Sequence, residues 1–106
     1  MFRNIMQQLI NFQHIELVEQ VIAITLNQFF EQEDSDAIFD YLASSISETK
    51  LLEQSIGADR AAYRFCWQNN YFTLQLDVTS QSIWLEADDE TSSEAMPRLL
   101  AKLSTV

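Results

Sequence analysis

Residues 60–87, RAAYRFCWQNNYFTLQLDVTSQSIWLEA, decide how this chain folds. Ala61, Tyr63, Phe65 and Trp67 alternate with Arg60, Ala62, Arg64, Cys66 and Gln68. Phe72, Leu74, Leu76 and Val78 then alternate with Thr73, Gln75, Asp77 and Thr79, and Ile83, Leu85 and Ala87 complete the pattern. Apolar residues at every second position mark strands with one buried face. Asn69-Asn70 separates the first two runs, and Asn tolerates the positive φ of a type I′ turn. Ser80-Gln81 serves as a second two-residue turn. These turns set Trp67 against Phe72, Phe65 against Leu74, Tyr63 against Leu76 and Ala61 against Val78. In the next hairpin Val78 faces Ile83, Leu76 faces Leu85 and Leu74 faces Ala87. Every apolar residue then lies on one face, which a one-residue slip would destroy. The expectation is a three-stranded antiparallel meander over about 60–87.

Working outward, Asp34-Ser35-Asp36 precedes Ile38, Phe39, Tyr41, Leu42 and Ile46 at helical spacing. Short acceptors cap free N–H groups and negative charge suits the positive end of the dipole, so a helix is expected over about 35–48. Met96, Leu99, Leu100 and Leu103 form a second stripe. Thr91 to Glu94 reads T-x-x-E, a capping-box pattern, but Pro97 would then interrupt the helix beyond its first turn. A start at Ser93 or Glu94 resolves the conflict and predicts a helix over about 94–104. Both helices must bury their stripes on the sheet's apolar face, which defines an α+β domain. Residues 14–26 are β-rich, and one long bent strand or a hairpin near Glu19-Gln20 both fit. Residues 51–56 read as a short strand ending at Gly57, the only glycine, where a turn with positive φ is permitted. Phe2, Ile5, Met6, Leu9 and Ile10 suggest an amphipathic helix over residues 1–11.

The chain has 106 residues, of which 47% are hydrophobic, enough for a single domain over 1–106 with a core that needs no disulfide or metal. One Gly and one Pro leave no material for an interdomain linker. Sixteen acidic against six basic residues give a net charge of −10, which argues against nucleic acid and anionic membranes as partners. No apolar run is long enough to span a bilayer, and polar residues break up any signal-peptide core near the N-terminus. With a single cysteine, these features predict a cytoplasmic location.

A single glycine excludes G-x-S-x-G, G-x-G-x-x-G and the Walker A loop. Two acidic clusters stand out: Glu31, Glu33, Asp34, Asp36 and Asp40, then Glu86, Asp88, Asp89, Glu90 and Glu94. Neither fits a metal-binding spacing; a calcium loop starting at Asp34 would place Phe39 where glycine is needed and Ser45 where glutamate is needed. Both clusters lead into predicted helices, where acids are expected for capping. His14 stands without a partner in sequence. Cys66 falls mid-strand on the polar face, two residues from Arg64, and reads as an unreactive small residue. No catalytic residue, cofactor site or metal site is expected.

The sheet's polar face is more informative. The register above sets Asp77 opposite Ala62 and Trp84, and Gln75 opposite Arg64 and Glu86. Trp84 is then a large aromatic among charged and polar neighbours. Arg64 lies diagonal to Asp77, placed to pair with it or to lie over the Trp84 ring. Trp84, Arg64, Asp77 and Glu86 form a candidate interaction face, since Trp and Arg are enriched among binding hot spots. The competing reading is that the N-terminal helix covers Trp84. Three functions follow in order: a non-enzymatic module binding a protein partner or a second copy of itself; an acidic mimic or chaperone-like binder of a basic partner; and a carboxylate-based, metal-dependent enzyme. The last requires both acidic clusters to converge in one cleft.

Gly57-Ala58-Asp59-Arg60, followed by a hairpin and then Ser82-Ile83-Trp84-Leu85-Glu86, resembles a small family of uncharacterised bacterial proteins. The resemblance extends over most of the chain: an acidic loop, a helix, a GADR turn and a SIWLE strand. It implies a bacterial cytoplasmic protein of unknown function and brings no catalytic or ligand residues with it. Ala61-Ala62 departs from the more polar or histidine-containing stretch associated with that position, which argues against a histidine site beside the turn.

Overall fold

The structure, a computed structural model, describes residues 10–104. Strands β1 (Phe12–Val18) and β2 (Val21–Leu26) form a hairpin, followed by a 3-10 turn (Gln32–Asp34) and helix α1 (Ser35–Ile46). Strands β3 (Thr49–Ile56), β4 (Arg60–Trp67), β5 (Asn70–Asp77) and β6 (Ser82–Ala87) follow, then a one-turn helix α2 (Glu90–Ser93) and helix α3 (Met96–Ser104). The six strands form one antiparallel sheet in the order β1-β2-β6-β5-β4-β3. The meander is its centre. The β1–β2 hairpin extends it beyond β6, and β3 extends it beyond β4. The fold is therefore α+β, and the hairpin alternative for residues 14–26 is the one adopted, turning at Glu19-Gln20 with Glu19 at φ 57°.

The alternation read from the sequence holds along all three central strands. Ala61, Tyr63, Phe65, Trp67, Phe72, Leu74, Leu76, Ile83 and Leu85 are buried, joined by Ile22, Ile24 and Leu26 of β2. Ile38, Phe39, Leu42 and Ile46 of α1 and Met96, Leu99 and Leu103 of α3 complete the same core. Phe39 stacks on Tyr63 with centroids 5.0 Å apart and planes 6° from parallel. The Tyr63 hydroxyl reaches the start of α1 and donates to Asp36 Oδ1 at 2.6 Å. Burial, reinforced by that carboxylate, raises the phenol far above its ordinary pKa, so it remains a donor.

Both predicted hairpin registers are corrected by two residues. Trp67 pairs with Asn70, Phe65 with Phe72, Tyr63 with Leu74 and Ala61 with Leu76. The turn is Gln68-Asn69, at φ 52° and 63°, one residue earlier than expected. Asn70 instead closes the ladder, its Nδ2 donating to the Gln68 carbonyl at 3.0 Å. In the next hairpin Leu76 pairs with Ile83, Leu74 with Leu85 and Phe72 with Ala87. Residues 78–81 form a longer connection in place of the two-residue turn. Gln81 holds it: Oε1 accepts from Phe30 N at 3.1 Å, while Nε2 donates to Phe30 O at 2.9 Å and Val78 O at 2.8 Å. A shift of two leaves every side chain on its own face, so hydrophobic alternation is blind to it.

Smaller corrections have local causes. Helix α1 ends at Ile46, because Ser47 and Glu48 adopt φ 55° and 56°. Helix α3 begins at Met96 and α2 precedes it; Asp89 caps α2 by accepting from Ser92 N at 2.7 Å. Pro97 thus stands in the first turn of α3, where no N–H is missed. Strand β3 starts at Thr49, earlier than expected. Gly57 does not have positive φ; the turn closes by Gly57 N donating to Arg60 O at 2.7 Å. The helix expected over residues 1–11 lies outside the described residues except for Ile10 and Asn11, which are not helical, and Ile10 is buried in the core.

Candidate functional site

Both long helices lie on one side of the sheet, so the opposite face has no helical layer among the described residues. Strand pairing arranges this face in rows. The central row runs Glu16, Ala23, Trp84, Gln75, Ala62 and Ser55 from β1 to β3. The row beside it runs Val18, Val21, Glu86, Thr73, Arg64 and Glu53. Trp84 therefore lies between a methyl group and an amide, with Ala62 one strand further on. Among the described residues the indole is half-buried. Its Nε1 donates to Glu86 Oε2 at 2.8 Å, which fixes the ring and orients the carboxylate.

Of the four predicted face residues, the structure brings three together and separates the fourth. Trp84 and Glu86 are bonded neighbours, and Arg64 follows Glu86 across Thr73. Asp77, in contrast, faces Arg60 and Ser82 at one end of the face, with Arg60 Nε 3.9 Å from its Oδ2. Gln75 occupies the position opposite Trp84 and Ala62 that the sequence reading gave to Asp77. Arg64 contacts neither Asp77 nor the Trp84 ring. Its Nε donates to Asp88 Oδ2 at 2.5 Å, and its guanidinium lies 5.3 Å from the centroid of Tyr71. Thr73 Oγ1 donates to the other Asp88 oxygen at 2.8 Å. The hydrogen bond from Arg64 to Asp88, with the Asp88 charge, raises the Arg64 pKa and leaves it a fixed cation.

Tyr71, Thr73 and Asp88 thus belong to the site and were missed. Tyr71 shares the outward parity of Thr73 and Gln75 in either register, and the observed register pairs it with Cys66.

The acidic clusters are used mainly for local structure. Glu31 and Asp34 form a reciprocal capping box at the 3-10 turn, and Asp36 receives the Tyr63 hydroxyl. Asp89 caps α2, and the hydrogen bonds from Ser92 hold its carboxyl below the ordinary aspartate range. The two clusters lie at opposite ends of the sheet. The first is tied to the β3–β4 and β5–β6 connections, since Gln32 Nε2 donates to Gly57 O and Arg60 O, and Phe30 bonds Gln81. The second follows the far end of β6, where Asp88 N donates to Tyr71 O. The carboxylates therefore do not converge in one cleft. No group of three or more His, Cys, Asp or Glu able to hold a metal occurs among the described residues. Four members of the second cluster, Glu86, Asp89, Glu90 and Glu94, do line a surface groove of about 650 Å³ with Gln20, Val21, Ala87 and Ser93. The groove adjoins the Trp84 face through Glu86. His14 is exposed on the edge strand β1 and bonded to Glu16 at 2.8 Å. Cys66 sits on the same face as Trp84, between Lys50 and Tyr71.

The fold and site define an α+β protein whose sheet is shielded by helices on one side and presents an aromatic and charged surface on the other. No helix among the described residues is long and apolar enough to cross a membrane. Over residues 10–105 the chain matches the family described as "Protein of unknown function (DUF3630)", and it belongs to that family. No curated protein and no solved structure matches it significantly.

Proposed function

We propose that this chain is a non-enzymatic protein–protein interaction module of the bacterial cytoplasm, docking a protein partner around Trp84 on the sheet face that carries no helix among the described residues. The observation that carries the reading is the setting of that indole. It is oriented by Glu86 and bordered by Ala23 and Gln75, and the same face carries, two strands away, an arginine fixed by Asp88 and Tyr71. Rigid Trp and Arg groups lose little entropy on binding, which is why they anchor interfaces. The surrounding Glu16, Glu53, Glu86 and Asp77 favour a partner that brings an apolar group for the indole and basic groups for the rim.

The test is capture of partners from native cytoplasm by the wild-type chain and by Trp84→Ala. The variant should lose the partner by about 2 kcal/mol, roughly thirtyfold, while its circular dichroism and melting stay near wild type. Unfolding of the variant would assign Trp84 to structure, and equal capture would remove it from the interface.

The acidic groove beside this face supports a second reading, in which the chain occupies a basic partner. Its four carboxylates are contiguous with the Trp84 surface, so binding would weaken steeply with added salt. Salt-independent capture would eliminate this reading and leave the first standing.

A further inference from the structure

Strand β3 ends the sheet on one side, and its outer rim pairs with nothing among the described residues. Leu51, Leu52 and Ile56 are 43%, 39% and 50% exposed along it. The opposite edge strand, β1, is backed by α3, whereas no helix packs comparably on β3. Exposed apolar residues on an open edge invite a further strand.

We infer that this edge pairs antiparallel with β3 of a second copy, joining two six-stranded sheets into one. Charge points to a copy of the same chain. Against a net charge of −10, Thr49–Ile56 carries one Lys and one Glu and is neutral, so this edge is a surface on which two acidic chains can meet. The placement of those two charges is self-complementary. The strand bulges between Leu51 and Glu53, with Leu52 as the extra residue. Lys50 and Glu53 therefore both stand on the Trp84 face, opposite Cys66 and Arg64. Edge pairing about a two-fold axis normal to the sheet keeps each face on its own side. A pairing centred between Leu51 and Leu52 sets Lys50 against Glu53 of the partner subunit, and the reverse by symmetry. Without the bulge, residues three apart would point to opposite faces and the match would be lost. Registers that set Lys50 or Glu53 against its own symmetry mate oppose like charges. In the favoured register the charges alternate from Asp88 to Arg64, Glu53 and the partner's Lys50, and the leucines of the two copies cover one another on the other side. One eight-residue strand is a small interface, so the dimer is reversible, with a dissociation constant of about 1 µM or weaker.

Sedimentation equilibrium of the full chain from about 1 µM to about 1 mM tests this. The wild type should dimerise, K50E and E53K should each weaken association about tenfold, and K50E/E53K should recover it to within about threefold. If E53K fails to fold beside Arg64, Lys50→Gln and Glu53→Gln replace the reversals, each expected to weaken association about threefold. Trp84→Ala should dimerise as the wild type does, which separates this edge from the Trp84 face. A monomer across the whole range, single reversals without effect, or a double variant that stays weak would each overturn the inference. So would a monomer that captures a foreign extended strand instead.

Discussion

Left-handed backbone in this chain is supplied by polar residues. Glu19, Ser47, Glu48, Gln68, Asn69 and Gln81 all have positive φ, while the single glycine does not. Each such residue costs backbone energy that local bonds and packing must offset. At Gln68-Asn69 the offset is the Trp67–Asn70 closing pair and the Asn70 side-chain bond. Asp89 illustrates a different economy at the same scale. Its carboxylate accepts from Ser92 and is held below the ordinary aspartate value of 3.8. A carboxyl depressed in the folded state stabilises above its unfolded pKa, and that contribution disappears as pH falls through the folded value. Asp89→Asn keeps a capping oxygen but loses the charge. The wild type should therefore be more stable than Asp89→Asn to denaturant at pH 7. The difference should close as the pH falls below the ordinary aspartate value of 3.8. A difference that stays constant with pH would remove the charge from the explanation.

At the scale of elements, the hydrophobic pattern placed α1, the central strands and the buried stripe of α3 with little error. It failed at the two turns that set register, one local at Gln68-Asn69 and the other held by a bond between distant residues. The β5–β6 connection has the length that Gln81 sets by clamping Phe30, fifty-one positions away, and no local signal announces that contact. Val78 N also donates to Asp59 O at 2.8 Å, tying this connection to the β3–β4 turn. Gln81→Ala leaves the Phe30 N–H and C=O without these partners and should cost about 1–2 kcal/mol in urea unfolding. A loss well below this would show that water replaces the clamp. The candidate face was legible to the same degree. Parity put Trp84, Glu86, Arg64 and Asp77 on one surface, correctly. The partners of Arg64 and Asp77 depended on register, and Asp88 lies beyond the strand where alternation no longer speaks.

For the whole molecule, the decisive quantity is charge. Six basic residues cannot neutralise sixteen acids, and ten of the carboxylates belong to the two clusters at opposite ends of the sheet. Self-repulsion then opposes the compact state more than the described ion pairs, such as Arg64–Asp88 and Arg60–Asp77, support it. Screening should stabilise the fold, so the melting temperature should rise between about 20 mM and about 500 mM sodium chloride. A fall would mean that ion pairing outweighs repulsion. Two neutral or mixed-charge surfaces interrupt this acidic shell, the Trp84 face and the β3 edge, and both proposals rest there.

The sequence by itself determined which side chains are buried and which are presented, because strand alternation and helical periodicity are written residue by residue. It also determined that two long helices must share one face, since neither has anywhere else to bury its stripe. Tertiary structure alone decided the strand order, the register and the partner of each charge. The reason is periodic: a two-residue shift preserves every hydrophobic contact class, so only turn conformation and long-range bonds such as Gln81 to Phe30 choose among the shifts.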